Sequence, residues 1–400
     1  MQNKDIRPPF AGLSGLDVTQ LFADLPTPCY VLDEAQLLQN GKILRGVQQR
    51  TGCRILLAQK AFSNFPLYPV LAPYLCGTEA SGLYEARLGK EEMPQGEVHV
   101  FCGAYREREF PELLQYADHI VFNSPRQLKK FGARAKDAGK SIGLRINPEC
   151  STQDGHEIYD PCAPGSRLGT TRAQWDAAIT PELFGLLDGL HFHTLCEQNA
   201  DALETTLDAV EQKFGDILSH MSWINFGGGH HITRRDYDIR RLERLIVRTR
   251  DRYGVTVYLE PGEACALNAG YLVTEVLDVL QNGTTYPAIL DMSAACHTPD
   301  VIEMPYRPPL YGAGDAGVHA HTYRLGGPTC LAGDIIGDYS FPAPLREGDR
   351  LVFGDMAIYT TCKNNTFNGM PLPDIWLLRA DRTLKQLVSF GYDDFKRRLG

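Results

Sequence analysis

Lys60 closes the run LLAQKAF, in which an apolar strand would deliver a primary amine directly to its end. A lysine amine held in a partly desolvated pocket has a lowered pKa and condenses with carbonyl compounds to form imines. The plain alternative is a lysine that has merely reached solvent. In INFGGGHH, three glycines, Gly227, Gly228 and Gly229, follow another apolar run. Such a turn lets backbone N–H groups approach phosphate oxygens, although any tight turn also collects glycine. Glu260 in LEPGEA is either a paired acid at a loop mouth or a carboxylate facing a ring nitrogen, which it would keep protonated. His191 and His193 of GLHFH alternate, so both point to one face of a strand. That spacing suits a metal pair or a single imidazole stacked on a ring. An amine for a carbonyl, a glycine turn for a phosphate and an acid for a pyridine nitrogen are together what pyridoxal 5'-phosphate requires.

These residues need a frame that brings them to one place. Between residues 50 and 260 a short apolar run, a polar or glycine-bearing loop and a helical-period segment recur. The predicted strands are 53–58, 77–81, 97–102, 119–123, 142–147, 189–193, 222–226 and 256–260, with helices such as 125–139 and 199–221 between them. Eight strands alternating with helices predict a (β/α)8 barrel, whose chemistry sits at the C-terminal strand ends. Lys60, Glu79, Arg145, Asn147, His191, His193, the glycines and Glu260 all fall at such ends.

After Gly270 the pattern changes to YLVTEVLDVL, YPAILDM, DRLVFGD and DIWLLRA, separated by Gly, Pro and Asn clusters. This predicts a mainly antiparallel β domain, which the strand-like TPCYVLDE at 27–34 should join. The expected fold is therefore α/β, a (β/α)8 barrel at 35–268 and a β domain formed by 1–34 and 269–400.

A chain of 400 residues, 43% hydrophobic, can bury a large core, and its formal charge of −9 without a long basic run argues against nucleic acid or an anionic membrane as a partner. Neither a signal peptide nor an apolar window long enough to span a membrane is apparent, so a cytoplasmic enzyme is expected. The 11 cysteines form no C-x-x-C pair, which indicates neither a disulfide framework nor a zinc site, and no metal is expected. A metal-dependent barrel hydrolase nevertheless competes, with the H-x-H strand assisted by Asp291, His156, His230 or His231. A non-catalytic regulator on the same fold is a third reading.

Taken together and in order, LAQKAF, GLHFHT, INFGGG, LEPGEA, GPTCLAGD and DMAIYT resemble the alanine-racemase-fold pyridoxal phosphate decarboxylases, which include ornithine, arginine and diaminopimelate decarboxylases. The resemblance spans about residues 27 to 370. It implies that Lys60 is the Schiff-base lysine, His193 the imidazole stacked on the cofactor and Glu260 the partner of the pyridine nitrogen. It further implies phosphate contacts from Gly227, Gly228, Gly229 and Tyr359, and a place for Arg145 near the cofactor's phenolic oxygen; Glu79 joins the cofactor-binding set. Cys330 matches a proton-donating cysteine contributed by the other subunit, so a homodimer with composite active sites is implied.

One departure bears on the substrate. Where ornithine decarboxylase-like members carry a phosphate-binding arginine, this chain has Glu263. With HTLCE starting at His193 and CLAGDIIGDY at Cys330, EPGEA resembles a branch acting on carboxylated polyamines. Glu263 with Asp334 or Asp338 could then meet the distal ammonium groups of such a substrate; the alternatives are diaminopimelate, ornithine or arginine, and solvated loop acids.

Overall fold

The computed structural model describes residues 18–153 and 160–400. The chain divides into two compact units. One comprises Asn40–Lys60 and Asn64–Cys265; the other takes the described residues up to Gln39, Ala61–Ser63 and Ala266–Gly400.

The first unit is a closed barrel of eight parallel strands. With β1 assigned to Cys29–Asp33 of the other unit, the barrel runs β2 (Arg54–Ala58), β3 (Gly77–Ala80), β4 (Glu97–Phe101), β5 (His119–Phe122), β6 (Ser141–Arg145), β7 (Gly189–His191), β8 (Trp223–Asn225) and β9 (Thr256–Leu259). Strands such as β3, β7 and β8 are buried at every residue, which is why they read as short apolar runs. Each predicted strand is present, and each is shorter than its sequence pattern by one or two residues. Helices pack outside through one apolar stripe. In the helix Pro125–Asp137 that stripe is Leu128, Phe131, Gly132 and Ala135, and Ser124 caps its start by accepting the Gln127 N–H. The helix Ile239–Tyr253 ends on Gly254, whose φ of 67° satisfies the left-handed terminus.

Inside the barrel Leu56, Val121, Trp223 and Tyr258 form one packed layer. Trp223 fits only because β7 opens with glycine: a Cβ on Gly189 would lie 2.0 Å from the indole. Beneath this layer, at the N-terminal strand ends, sit Arg54, Glu97, His99 and His119. Arg54 Nη2 lies 2.8 Å from Glu97 Oε1, and the two imidazoles stack with centroids 3.8 Å apart. Burial, followed by the neighbouring His99, pushes His119 down to about 3.

The second unit is a nine-stranded sheet. Its further strands are β10 (Gly270–Val279), β11 (Pro287–Leu290), β12 (Gly314–Asp315), β13 (His321–Gly326), β14 (Ile335–Phe341), β15 (Arg350–Gly354), β16 (Asp374–Leu378) and β17 (Leu384–Val388). β1 enters the sheet as expected, antiparallel to β10 and parallel to β16. The sheet is mainly antiparallel, with β11 and β13 a second parallel pair. Phe22, Cys29, Val31, Tyr271, Val273 and Val352 are part of its core. Among the described residues no helix is long and apolar enough to cross a membrane.

Candidate active site

At the C-terminal ends of the barrel strands lies a cavity of about 230 Å³. Lys60, Glu79, Arg145, His191, His193 and Glu260 all line it, with Phe101 and Arg167. The fold therefore gathers five of the residues assigned to the cofactor or to catalysis into one chamber, and adds His191.

Local hydrogen bonds explain how the lysine is delivered. The Ala58 N–H donates to the carbonyl of Pro261, and the Gln59 side chain donates to the carbonyls of Glu79 and Glu85 while accepting the Tyr68 hydroxyl at 2.9 Å. With Gln59 fixed below, Lys60 is directed to the chamber.

Glu260 follows β9 directly, and both of its oxygens are engaged. Asn225 Nδ2 donates to Oε1 at 2.6 Å, and His191 Nε2 lies 3.0 Å from Oε2. Burial drives His191 below its ordinary range. At Glu260 burial pulls the other way, but His191 and Asn225 outweigh it and the carboxyl is held low. A neutral His191 donating from Nε2 to an ionised Glu260 satisfies both directions. Glu79, equally buried, goes up well above the carboxylate range: burial is the first cause and the charge of Glu260 the second. The two glutamates of one chamber are thus shifted in opposite directions, a separation typical of acid–base sites.

The Arg145 guanidinium donates from Nη2 to the carbonyl of His193 at 3.0 Å and lies 4.6 Å over the Phe101 ring. Burial brings it down to about 10, so it remains cationic at neutral pH. His193 stands just beyond β7, its Nδ1 accepting the Gly228 N–H at 2.9 Å. Burial, then the cations Lys60 and Arg145, push its imidazole well below the ordinary value. The ring is therefore neutral, with its proton on Nε2.

The glycine turn is ordered around Asn225, whose Oδ1 accepts the Gly227 N–H at 2.9 Å. Gly227 has φ of 71°, and a Cβ there would meet the carbonyl of Phe192 at 2.4 Å, so no other residue fits. The Gly227 and Gly228 amides thus already have protein acceptors in Asn225 and His193.

The remaining assigned residues are distributed differently. Glu263 opens the short helix Glu263–Ala266, where its Oε2 lies 3.0 Å from Nε2 of buried His231. Asp334 is buried in the sheet unit and accepts the Thr329 hydroxyl and the Ala295 N–H. Asp338 forms a two-pronged pair with Arg324 at 2.8 and 2.9 Å. Each of these three acids, expected to meet a substrate ammonium, thus has a protein donor that orients its carboxylate. Cys330 is exposed in the loop after β13, its N–H donating to Asn368 Oδ1. Tyr359, at φ of 49°, donates its N–H to the carbonyl of Ala61, the residue after Lys60.

Among the described residues the H-x-H strand does not gather the ligands a metal hydrolase would need. His191 faces Glu260, His193 faces the glycine turn, Asp291 accepts the Glu275 N–H within the sheet unit, and His230 faces the carbonyl of Phe226. His156 lies outside the described residues. Sequence reasoning had placed Asn147 with the site, but its Oδ1 accepts the Glu149 N–H in its own loop. It passed over Asn225, whose signal was a fully buried amide in a strand that ends on the glycine turn.

The donor set fits pyridoxal phosphate. An amine, a carboxylate held low, an imidazole held low and a cation surround one chamber, which suits an aldehyde, a ring nitrogen and a flat aromatic ring. Residues 29–357 match the family of pyridoxal-dependent decarboxylases, described by its C-terminal sheet domain. The chain belongs to this family; it is a carboxy-lyase that uses pyridoxal phosphate. Among its relatives, it is 40% identical to the carboxynorspermidine/carboxyspermidine decarboxylase of Campylobacter jejuni, covering 94% of this chain and 99% of that one. It is 41% identical to the carboxyaminopropylagmatine decarboxylase of Synechocystis, covering 94% and 96%. A crystal structure of the Campylobacter jejuni carboxynorspermidine decarboxylase complexed with norspermidine superposes with a TM-score of 0.85 at 39% identity, over 94% of this chain and 100% of that one. The diaminopimelate decarboxylase of Helicobacter pylori, at 16% identity and a TM-score of 0.79, shares the fold.

Proposed function

We propose that the protein decarboxylates carboxynorspermidine and carboxyspermidine, releasing carbon dioxide and norspermidine or spermidine in polyamine biosynthesis. The observation that carries this reading is near-complete coverage, at 40% identity, of a relative named for that reaction. The departure at Glu263 supports it from the site: EPGEA holds a His231–Glu263 pair where ornithine decarboxylase-like members carry an arginine. A second reading, carboxyaminopropylagmatine as substrate, is favoured by the 41% identity to a relative of that name. The two substrate classes differ at the far end, an ammonium in one and a guanidinium in the other.

Bound pyridoxal phosphate supplies the sink for the electron pair left when the Cα–carboxylate bond breaks. Lys60 would hold it through its amine. Glu260, charged and held by His191 and Asn225, keeps a proton on the ring nitrogen. His193 offers a flat, uncharged face, Arg145 a fixed positive charge, and Tyr359 and the glycine turn serve the phosphate. Cys330, from a second copy of the chain, gives a proton from Sγ to Cα. Its exposure, with Leu331 and Ile335 near it 43% and 39% exposed, supports a homodimer in which each copy completes the other's site; the cytoplasm is the proposed location of this biosynthetic step.

Carbon dioxide release from carboxynorspermidine, carboxyspermidine, carboxyaminopropylagmatine, diaminopimelate and ornithine tests the assignment. The first two should be turned over with the highest kcat/KM; a preference for any of the others overturns it. Cys330→Ala should slow turnover or divert protonation while leaving cofactor absorbance intact, and an unchanged rate and product would remove Cys330 from the reaction.

A further inference from the structure

At the end of the barrel opposite the cavity, three side chains with metal-ligand atoms converge and no part of the decarboxylation uses them. Glu97 and His99 are two residues apart on β4 and so share its inner face. The β4–β5 register sets His99 beside His119 on the next strand. One carboxylate oxygen and one nitrogen from each ring all lie within 4.8 Å of one another, and Glu97 Oε2 is already 3.2 Å from His99 Nε2.

The hydrogen bonding of this cluster is incomplete. His119 makes no hydrogen bond through its ring among the described residues, and Nδ1 of both His99 and His119 is buried without a partner. The His99 side chain is only 1% exposed. Polar atoms buried in this way cost stability unless water or an ion meets them. Arg54 engages Oε1 of Glu97 and leaves Oε2 facing the rings. It thereby orients the carboxylate as an outer partner does in metal sites. Its charge also weakens the site relative to a closed structural one. We propose that this floor of the barrel binds one divalent transition-metal ion of the zinc type through Glu97, His99 and His119. Two imidazoles and one carboxylate with an open fourth position suit that class of ion. The rings are only 11° from parallel, so one must tilt for both nitrogens to point at the ion.

The holoenzyme, stripped with chelator and desalted, is titrated with zinc in a calorimeter and with cobalt(II) in a spectrophotometer. One equivalent per chain should bind with micromolar affinity, and cobalt should give visible d–d absorption without a thiolate charge-transfer band. His119→Gln and Glu97→Gln should each weaken binding about 10- to 100-fold, with far-ultraviolet circular dichroism and cofactor absorbance unchanged. Glu197→Gln, in the separate Glu197, His231 and Glu263 cluster, should leave it unaltered. Wild-type binding no tighter than millimolar, a thiolate band, full affinity in Glu97→Gln, or loss in Glu197→Gln each overturns the proposal.

Discussion

The mouth and the floor of the barrel are both built from histidine and glutamate, on β7 and just past β9 at the mouth and on β4 and β5 at the floor, and they are finished differently. At the mouth each oxygen of Glu260 has a donor, and the polar groups close on a chamber. At the floor the imidazoles lie face to face, and His119 has no ring hydrogen bond among the described residues. The lesson concerns preorganisation. A site that must stabilise developing charge has its dipoles fixed beforehand, whereas the floor lies outside the decarboxylation and is left open.

That contrast can be broken by substitution. The largest effect is expected from Lys60→Ala, which removes the anchor: kcat should fall by about 10³-fold or more, and the visible band that borohydride bleaches should be absent. Retention of the band would place the anchor elsewhere. Next comes His191→Leu, which removes one of the two donors to an ionised carboxylate, an interaction of about 1.5–3 kcal/mol, or roughly 10- to 100-fold. Both kcat and cofactor affinity should drop, whereas the same change at His119 should leave both alone. Equal losses at mouth and floor would contradict the division between them.

The smallest effect sharpens the comparison within the mouth. Glu79 has a folded-state pKa raised above its ordinary 4.5, so the folded protein binds the proton more tightly than the unfolded chain does. Its contribution is most favourable below about 4.5 and is lost as pH rises towards the raised value. Glu79→Gln should therefore raise Tm relative to wild type more at pH 8 than at pH 5. A difference that is flat with pH would mean that Glu79 is ionised in the folded state.

Much of this was legible in the sequence because the barrel buries both faces of each strand and leaves short apolar runs. Lys60, Glu79, Arg145, His193 and Glu260 could be grouped because they stand where those runs stop. The strand ends were overrun because burial outlasts the ladder: Phe192 and Glu260 are buried beyond the last paired residues of β7 and β9. The short β12, the half-exposed β17 and the bulged β13–β14 hairpin carry no clean alternation and were not foreseen. Asp334 and Asp338 show what proximity in sequence leaves out: the donors that orient them, Thr329 and Arg324, are visible only in the fold. The His191–Glu260 contact spans 69 positions, and no local pattern announces it.

Asn225 has a consequence that its two hydrogen bonds do not state separately. One end of its amide grips Glu260, the carboxylate proposed to face the ring nitrogen, and the other end grips the first glycine of the turn proposed for the phosphate. A single planar group therefore acts as a gauge between the two poles of the cofactor berth. Lengthening it by one methylene, as in Asn225→Gln, would misset both poles at once, so recognition of the ring and recognition of the phosphate cannot drift apart independently.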